Sequence, residues 1–171
     1  MSGQTYWSKM RGAGRSPLKV APKAAVISAA GGFIAIAILA WLTGLTGQPW
    51  IMAPFGASCV LAFGVWESPL SQPRNIIGGH FISTLTGLVL FHLFGQGAAV
   101  IAAGVALAIL FMMLTKTAHP PAGADPIVVI LAGSGWSFLF IPVLAGAVVI
   151  VLVALFMNNA IRQRSYPTFW L

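Results

Sequence analysis

The sequence predicts an all-α integral membrane protein of six membrane segments, arranged as two inverted three-segment repeats. Three observations predict it. Of the chain's 171 residues, 58% are hydrophobic and 6% charged, where a soluble domain carries about 25% charged residues. The apolar residues gather into runs, and several runs are long enough to cross a bilayer. Two shorter runs break at one shared pattern, P-x-G-A followed by Ser or Asp, 67 residues apart.

The net charge of +7 is explained by position. Lys9, Arg11, Arg15, Lys19 and Lys23 precede the first apolar run, and Arg162 and Arg164 follow the last. Basic clusters flanking hydrophobic spans are the signal of the positive-inside rule. They point to anionic lipid headgroups as partners and away from nucleic acid. Residues 1–23 therefore read as a basic cytoplasmic tail, 24–158 as the transmembrane domain and 159–171 as a cytoplasmic C-terminal tail. The first apolar run is too long for a signal peptide and lacks a cleavage site, so it is expected to be retained as a span. Cys59 is the single cysteine, which excludes an intrachain disulfide and suits a small packing residue.

Four runs have about the 20 residues a membrane helix needs: 24–46, 76–94, 96–114 and 137–157. Two others are interrupted. Run 50–66 holds Pro54 and Gly56, and run 118–133 holds Pro120, Pro121, Gly123 and Pro126. Charge favours six crossings over four. With four, Arg74 and Lys116 fall outside; with six, loops 68–75 and 115–117 lie inside with both termini, and all nine Lys and Arg residues are cytoplasmic. That orientation suits a multi-pass protein of a cytoplasmic (inner) membrane.

The breaks at Pro54-Phe55-Gly56-Ala57-Ser58 and Pro121-Ala122-Gly123-Ala124-Asp125 align, and at the same offset Gly79 falls on Gly146. This divides the domain into repeats at about 24–94 and 96–158. Three crossings per repeat is an odd number, so the second copy enters from the opposite side. Secondary transporters built this way bind substrate near the midplane, at their broken segments.

Proline lacks an N–H and glycine is a poor helix former, so 118–124 is not a regular helix. Bare backbone in lipid costs several kcal/mol per unsatisfied group, which places this stretch inside protein or along a wet cavity. Ser58 and Asp125 are expected to N-cap two half-helices, 59–65 and 126–132, each about 10 Å long. Two such N-termini facing one pocket make an anion site. The small residues Gly56, Ala57, Gly123 and Ala124 let backbone approach the ion; equally, they permit tight helix crossing alone. An ionised Asp125 would repel an anion. It therefore carries a proton, couples protons to transport, or belongs to a cation site, and the residues leave these alternatives open.

His119 precedes the double proline, and His80 lies about one turn into the third span. Intramembrane ionisable residues are functional candidates; a neutral histidine bonded to freed carbonyls is the plainer reading of His119. His92 reads as interfacial, Asn75 as an N-cap, and Arg74 as a topology determinant paired with Glu67, with Lys116 similar. Trp50, Trp66 and Trp136 fall at expected membrane edges. No metal-ligand spacing, G-x-S-x-G, Walker A or G-x-G-x-x-G is present. The reading is therefore a non-enzyme with no cofactor, no metal and no ATP-driven step.

The stretch Lys116-Thr117-Ala118-His119-Pro120-Pro121-Ala122-Gly123-Ala124-Asp125 resembles the HPP family of integral membrane proteins, named for His-Pro-Pro. Pro54-Phe55-Gly56-Ala57-Ser58, Gln72-Pro73-Arg74-Asn75 and Gly79-His80 extend the resemblance over about residues 20–160. The family is usually described with four membrane helices, where the charge argument gives six. Some relatives carry C-terminal CBS domains, and these residues contain none, so the resemblance implies no nucleotide regulation of that kind. Cyanobacterial and chloroplast relatives are associated with nitrite transport, which implies a small-anion transporter with nitrite as the leading substrate. Substrate-binding candidates are Gly56, Ala57, Ser58, His119, Pro120, Pro121, Gly123, Ala124 and Asp125. Candidates for proton coupling or gating are His119, Asp125, His80, Arg74 and Lys116. An anion channel with the same pore and a non-transporting scaffold or assembly protein are the alternatives. Six short segments make a thin wall, so a homo-oligomer, preferably a dimer, is expected.

Overall fold

The structure is a computed structural model that describes residues 5–10, 14–16 and 21–170. Arg11 and Lys19 of the expected basic tail lie outside the described residues. A single turn, α1 (Tyr6–Lys9), begins at Thr5, whose hydroxyl caps the Ser8 N–H. The membrane domain starts with α2 (Pro22–Thr46). Helix α3 (Ala53–Cys59) runs on into a π-helical turn, Val60–Gly64. A 3₁₀ turn, Pro69–Ser71, leads into α4 (Pro73–Phe94), followed by α5 (Ala98–Leu114). A second 3₁₀ turn, Pro120–Ala124, opens α6 (Asp125–Ala132). The last segment is Trp136–Leu139, Phe140–Leu144 and α7 (Ala145–Asn159). Among the described residues every regular element is helical.

Three of these stretches are long and apolar enough to cross a membrane: Pro22–Thr46, Pro73–Phe94 and Trp136–Asn159. Three apolar helices are shorter: Ala53–Gly64, Ala98–Leu114 and Pro120–Ala132. The expected span 96–114 is thus trimmed. Gly95 sits at φ 73° and ends α4, and the helix resumes at Ala98 for 17 residues. At 1.5 Å per residue that is about 26 Å, a little under the hydrocarbon thickness. The last segment kinks at Ile141 (φ −130°, ψ 121°), the conformation favoured for a residue before proline.

Polarity is inverted relative to a water-soluble bundle. Phe33 and Phe156 point outward, 75% and 78% exposed, while Ser58, His80, Ser83, Thr84, His119 and Asp125 are fully buried. An apolar exterior around a polar interior is what a hydrocarbon solvent selects. Helix α4 is central and packs against α5, α6, α7 and the 3₁₀ turns Pro69–Ser71, Pro120–Ala124 and Trp136–Leu139. Small residues make the packing close. Gly87 of α4 and Gly104 of α5 both face Pro126, at 2.8 and 3.0 Å from an added Cβ. Gly31 of α2 accepts the Phe63 ring and Gly146 of α7 the Phe55 ring, with no room for a side chain at either. These are the small-residue contacts that hold membrane helices together without a hydrophobic drive.

Side chains reach freed backbone carbonyls at the π turn, at the His-Pro-Pro break and at the end of α6. At the π turn, the Phe63 carbonyl accepts from Ser28 Oγ (2.7 Å) and Arg164 Nη1 (3.1 Å), and the Ala62 carbonyl from Asn158 Nδ2 (3.0 Å). At the His-Pro-Pro break, Asn75 Nδ2 donates to Ala118 O at 2.9 Å and Ser83 Oγ to Ala122 O at 2.6 Å. Gln96 Nε2 closes the end of α6 on Ile130 O and Leu131 O (3.0 and 3.1 Å). Protein side chains thus take up several of the carbonyls that the broken stretches free, in keeping with the cost of bare backbone in lipid.

Three expected caps are corrected. Helix α3 begins at Ala53, so Ser58 lies inside it rather than at the start of a half-helix 59–65. Pro54 causes this: in a first turn it needs no acceptor for an N–H, so the chain breaks before it. Asp125 is the first helical residue of α6 and makes no capping bond. Asn75 is inside α4, which starts at Pro73, and its amide serves Ala118 instead.

Candidate functional site

Four buried side chains from the two breaks and α4 form one hydrogen-bonded chain. Ser58 Oγ is 2.8 Å from His80 Nε2 and 2.8 Å from His119 Nε2. His80 Nδ1 is 2.8 Å from Asp125 Oδ2, the single acid–base pair among the described residues. Thr84 Oγ1 donates to the same carboxyl oxygen at 3.1 Å. At the far end His119 Nδ1 donates to the Leu70 carbonyl at 2.8 Å.

The backbone explains how these groups meet. His80 and Thr84 are one turn apart on α4, so they reach Asp125 from one face. Gly79 makes the approach of His119 feasible: an added Cβ there would stand 2.7 Å from the His119 Cβ and 2.9 Å from the Thr117 carbonyl. Phe55 and His119 both pack edge-on against the His80 ring, with centroids 5.2 and 5.1 Å away. All four polar side chains have no exposed surface.

Hydrogen-bond arithmetic restricts the protons. A carbonyl only accepts, so His119 carries a proton on Nδ1. If His119 is neutral, its Nε2 accepts, and the Ser58 hydroxyl must donate to it. Ser58 has no second proton, so His80 Nε2 must donate to Ser58. One further proton is then shared between His80 Nδ1 and Asp125. Asp125 Oδ1 has no protein partner, which leaves one carboxyl atom of the cluster uncommitted.

Two cavities lie beside the breaks, and one of them is bordered by a residue of the cluster. One, of about 640 Å³, lies between the two breaks, with Pro54 and Ala57 on one side and Pro121 and Ala124 on the other. Its lining is almost wholly apolar, and neither Ser58 nor Asp125 reaches it. The second, of about 440 Å³, is bordered by His119, Pro120, Gly123, Ala118 and Leu70.

Comparison with known proteins completes the picture. The family model described as HPP, transmembrane region, matches residues 17–167. The chain belongs to the HPP family. Two transmembrane proteins of Dictyostelium discoideum are similar to it. One is 37% identical over 148 residues, covering 81% of this chain and 52% of the relative. The other is 35% identical over 177 residues, covering 96% of this chain and 57% of the relative. The chain thus spans a little over half the length of these curated relatives. No solved structure shows a significant match.

The family's His-Pro-Pro motif divides its labour. His119 enters the cluster, while Pro120 and Pro121 open the 3₁₀ turn that leads to Asp125 and line the apolar cavity. Of the expected substrate-binding residues, Ser58, His119 and Asp125 come together. Ala57, Ala124 and the two prolines line the cavity between the breaks, Gly56 faces a groove against α2, and Gly123 borders the cavity of His119. Of the expected coupling residues, His80 joins His119 and Asp125 in the cluster. Arg74 and Lys116 stay outside it. Arg74 Nη2 donates to Thr115 O at 3.0 Å rather than pairing with Glu67, and Lys116 is exposed in the next turn at φ 58°. His92 stacks on Trp136 at 4.7 Å, far along α4 from the cluster.

Ser83, Thr84 and the Leu70 carbonyl are participants that sequence reasoning missed. A signal for the first two was present. Asn75, Gly79, His80, Ser83, Thr84 and Gly87 recur at three- and four-residue spacing along α4, a polar and small stripe on an apolar helix. The Leu70 carbonyl leaves no trace in side-chain identity.

Proposed function

We propose that this HPP protein is a carrier for a small inorganic anion, with nitrite as the leading substrate. The observation that carries the reading is the fully buried Ser58–His80–His119–Asp125 cluster at the junction of two helix breaks. Ionisable groups inside a membrane domain are costly and mark ion or proton pathways. The family's association with nitrite transport supports the anion class. Among the described residues, the paired N-caps expected to bind the anion are not formed, so recognition passes to the imidazoles. A protonated His119 or His80 supplies the positive charge and the N–H donors for a small oxyanion.

In this reading the six segments all cross, the two repeats are inverted, and access alternates by rocking one repeat against the other. Both termini are cytoplasmic in an inner membrane, the unit is a homodimer, and the chain performs no enzymatic chemistry. Carrying one negative charge into an interior-negative cell costs about 2.3 kcal/mol per 100 mV. Uptake therefore requires a co-transported proton, and the cluster holds the groups to carry one.

One observation favours a second reading, that of a membrane scaffold. The cluster is packed without exposed surface, and the cavity between the breaks is apolar. A carrier passes through such an occluded state between its two open ones, whereas a scaffold stays there. Nitrite flux into proteoliposomes separates them. Wild-type flux above that of empty vesicles, falling at least tenfold in His119→Ala and in His119→Gln, is expected. Flux equal to empty vesicles, or untouched by both substitutions, rejects the carrier.

A further inference from the structure

We propose that the Ser58 hydroxyl is a proton relay between His80 and His119, so that the protein conducts protons along Asp125–His80–Ser58–His119. The inference deepens the carrier reading and rests on it only for the partner that travels with the proton.

The geometry is that of a two-state wire. Ser58 Oγ stands 2.8 Å from each Nε2, and the two imidazole centroids are 5.1 Å apart. The rings are edge-to-face at 66°, so the two Nε2 atoms communicate through the hydroxyl. In the first state His80 Nε2–H donates to Ser58 Oγ, and Ser58 Oγ–H donates to His119 Nε2. Transfer breaks the His80 Nε2–H and Ser58 O–H bonds. It forms a new Ser58 O–H bond and a new His119 Nε2–H bond. The serine is neutral before and after, and one positive charge has moved from His80 to His119.

Both end states keep every hydrogen bond. After transfer His119 donates from Nδ1 to Leu70 O and from Nε2 to Ser58, and the Ser58 hydroxyl donates to His80 Nε2. His80 Nδ1–H remains on the Asp125 carboxylate, which Thr84 also holds. The Pro54 carbonyl, 3.2 Å from Ser58 Oγ, gives the hydroxyl an intermediate acceptor as it rotates to reset. The acceptor oxygen of Leu70 cannot take a proton onward, so release from His119 uses water entering the cavity of about 440 Å³ that it borders with Leu70 and Gly123, the water leaving as hydronium. Asp125 Oδ1, buried without a protein partner, is the carboxyl atom with capacity for a further proton at the other end.

The relay explains why a serine inside α3, rather than a helix cap, occupies the aligned position of the first break. A methyl group there would leave two imidazoles too far apart for direct transfer.

The test uses the full chain in proteoliposomes holding a pH-sensitive dye, with proton influx driven by a potassium diffusion potential. Wild type should acidify the lumen faster than empty vesicles. Ser58→Ala should slow this about a hundredfold, the usual worth of a positioned proton-transfer group, while Ser58→Thr, which keeps the hydroxyl, restores it to within threefold. Wild-type influx no faster than empty vesicles, or Ser58→Ala conducting like wild type, overturns the relay. Should Ser58→Ala not fold, Ser58→Cys replaces it, and conduction equal to wild type by the weakly bonding thiol is the overturning result. Nitrite flux in the same vesicles keeps the two readings apart. Serine-dependent proton influx without nitrite movement sinks the anion assignment alone. Nitrite movement together with proton influx that is unchanged in Ser58→Ala sinks the relay alone.

Discussion

Ser58 and Asp125 hold opposite nitrogens of one imidazole: Ser58 Oγ lies 2.8 Å from His80 Nε2 and Asp125 Oδ2 lies 2.8 Å from His80 Nδ1. They occupy the same position of the two P-x-G-A copies. The copies differ in backbone, α-helical over Ala53–Cys59 and 3₁₀ over Pro120–Ala124, yet both deliver their polar residue to His80. That ring couples the two breaks through α4, beside the direct contact of Ser58 with His119.

Removing the carboxyl tests this coupling. Asp125→Ala leaves His80 Nδ1 and Thr84 Oγ1 without their acceptor in a site with no exposed surface. Breaking a buried pair from one side costs about 3–5 kcal/mol. Asp125→Asn keeps an acceptor oxygen for His80 and should cost less than half as much. It cannot share a proton with His80, so transport should still be lost. Thermal unfolding in detergent and flux in vesicles measure the two effects separately; a fully active Asp125→Asn contradicts the role.

Thr84→Val removes one hydrogen bond and little volume. The Thr84 bond to Asp125 is 3.1 Å long, and bonds between membrane helices contribute about 0.6 kcal/mol on average. Stability should therefore fall by less than 1.5 kcal/mol. A loss as large as that of Asp125→Ala would mean that Thr84, and not His80, holds the carboxyl.

Gly79→Ala tests the closeness of α4 to the His-Pro-Pro segment. The added methyl meets the His119 Cβ at 2.7 Å and a backbone oxygen at 2.9 Å, and neither is the free end of a flexible chain. Overpacking of this kind costs about 1–3 kcal/mol. It also moves His119 away from Ser58, so flux should fall further than stability. By contrast, Gly56→Ala meets nothing within 4 Å and should be silent in both measurements.

Much of this was legible in the sequence because lipid is a demanding solvent. The runs 24–46, 76–94 and 137–157 could only be helices, and α2, α4 and the last segment follow them closely. The breaks were legible because proline leaves no choice at Pro120 and Pro121. What failed was the direction of the side chains at the breaks. Ser58 and Asp125 are good N-cap residues by type, but local preference lost to the histidines, whose burial leaves polar atoms that need partners. His80 and Ser83 answer groups that are distant in sequence, and no local rule reports that. The pairing of Arg74 with Glu67 failed for a similar reason. The end of α5 offers Arg74 the Thr115 carbonyl instead.

The C-terminal tail yields the last prediction. Tyr166 is buried against the loop that carries Leu70: its hydroxyl donates to Ser71 O at 2.8 Å, while Thr168 N–H donates to Gln72 Oε1 at 2.8 Å. Asn159 grips the Tyr166 backbone from both sides, accepting from its N–H and donating to its carbonyl. Burial pushes the phenol well above its ordinary value, near 10. The folded state thus prefers the protonated phenol more than the unfolded chain does. Its stabilisation is complete below about pH 10 and is lost progressively as pH rises beyond that. Wild type should therefore lose thermal stability above pH 10 more steeply than Tyr166→Phe, which has no proton to release. At neutral pH, Tyr166→Phe should be less stable by about 1 kcal/mol, the value of the missing hydrogen bond. Because Leu70 adjoins Ser71, loosening this contact should also lower flux through His119. Parallel pH profiles for the two proteins would show that the tail does not hold the loop.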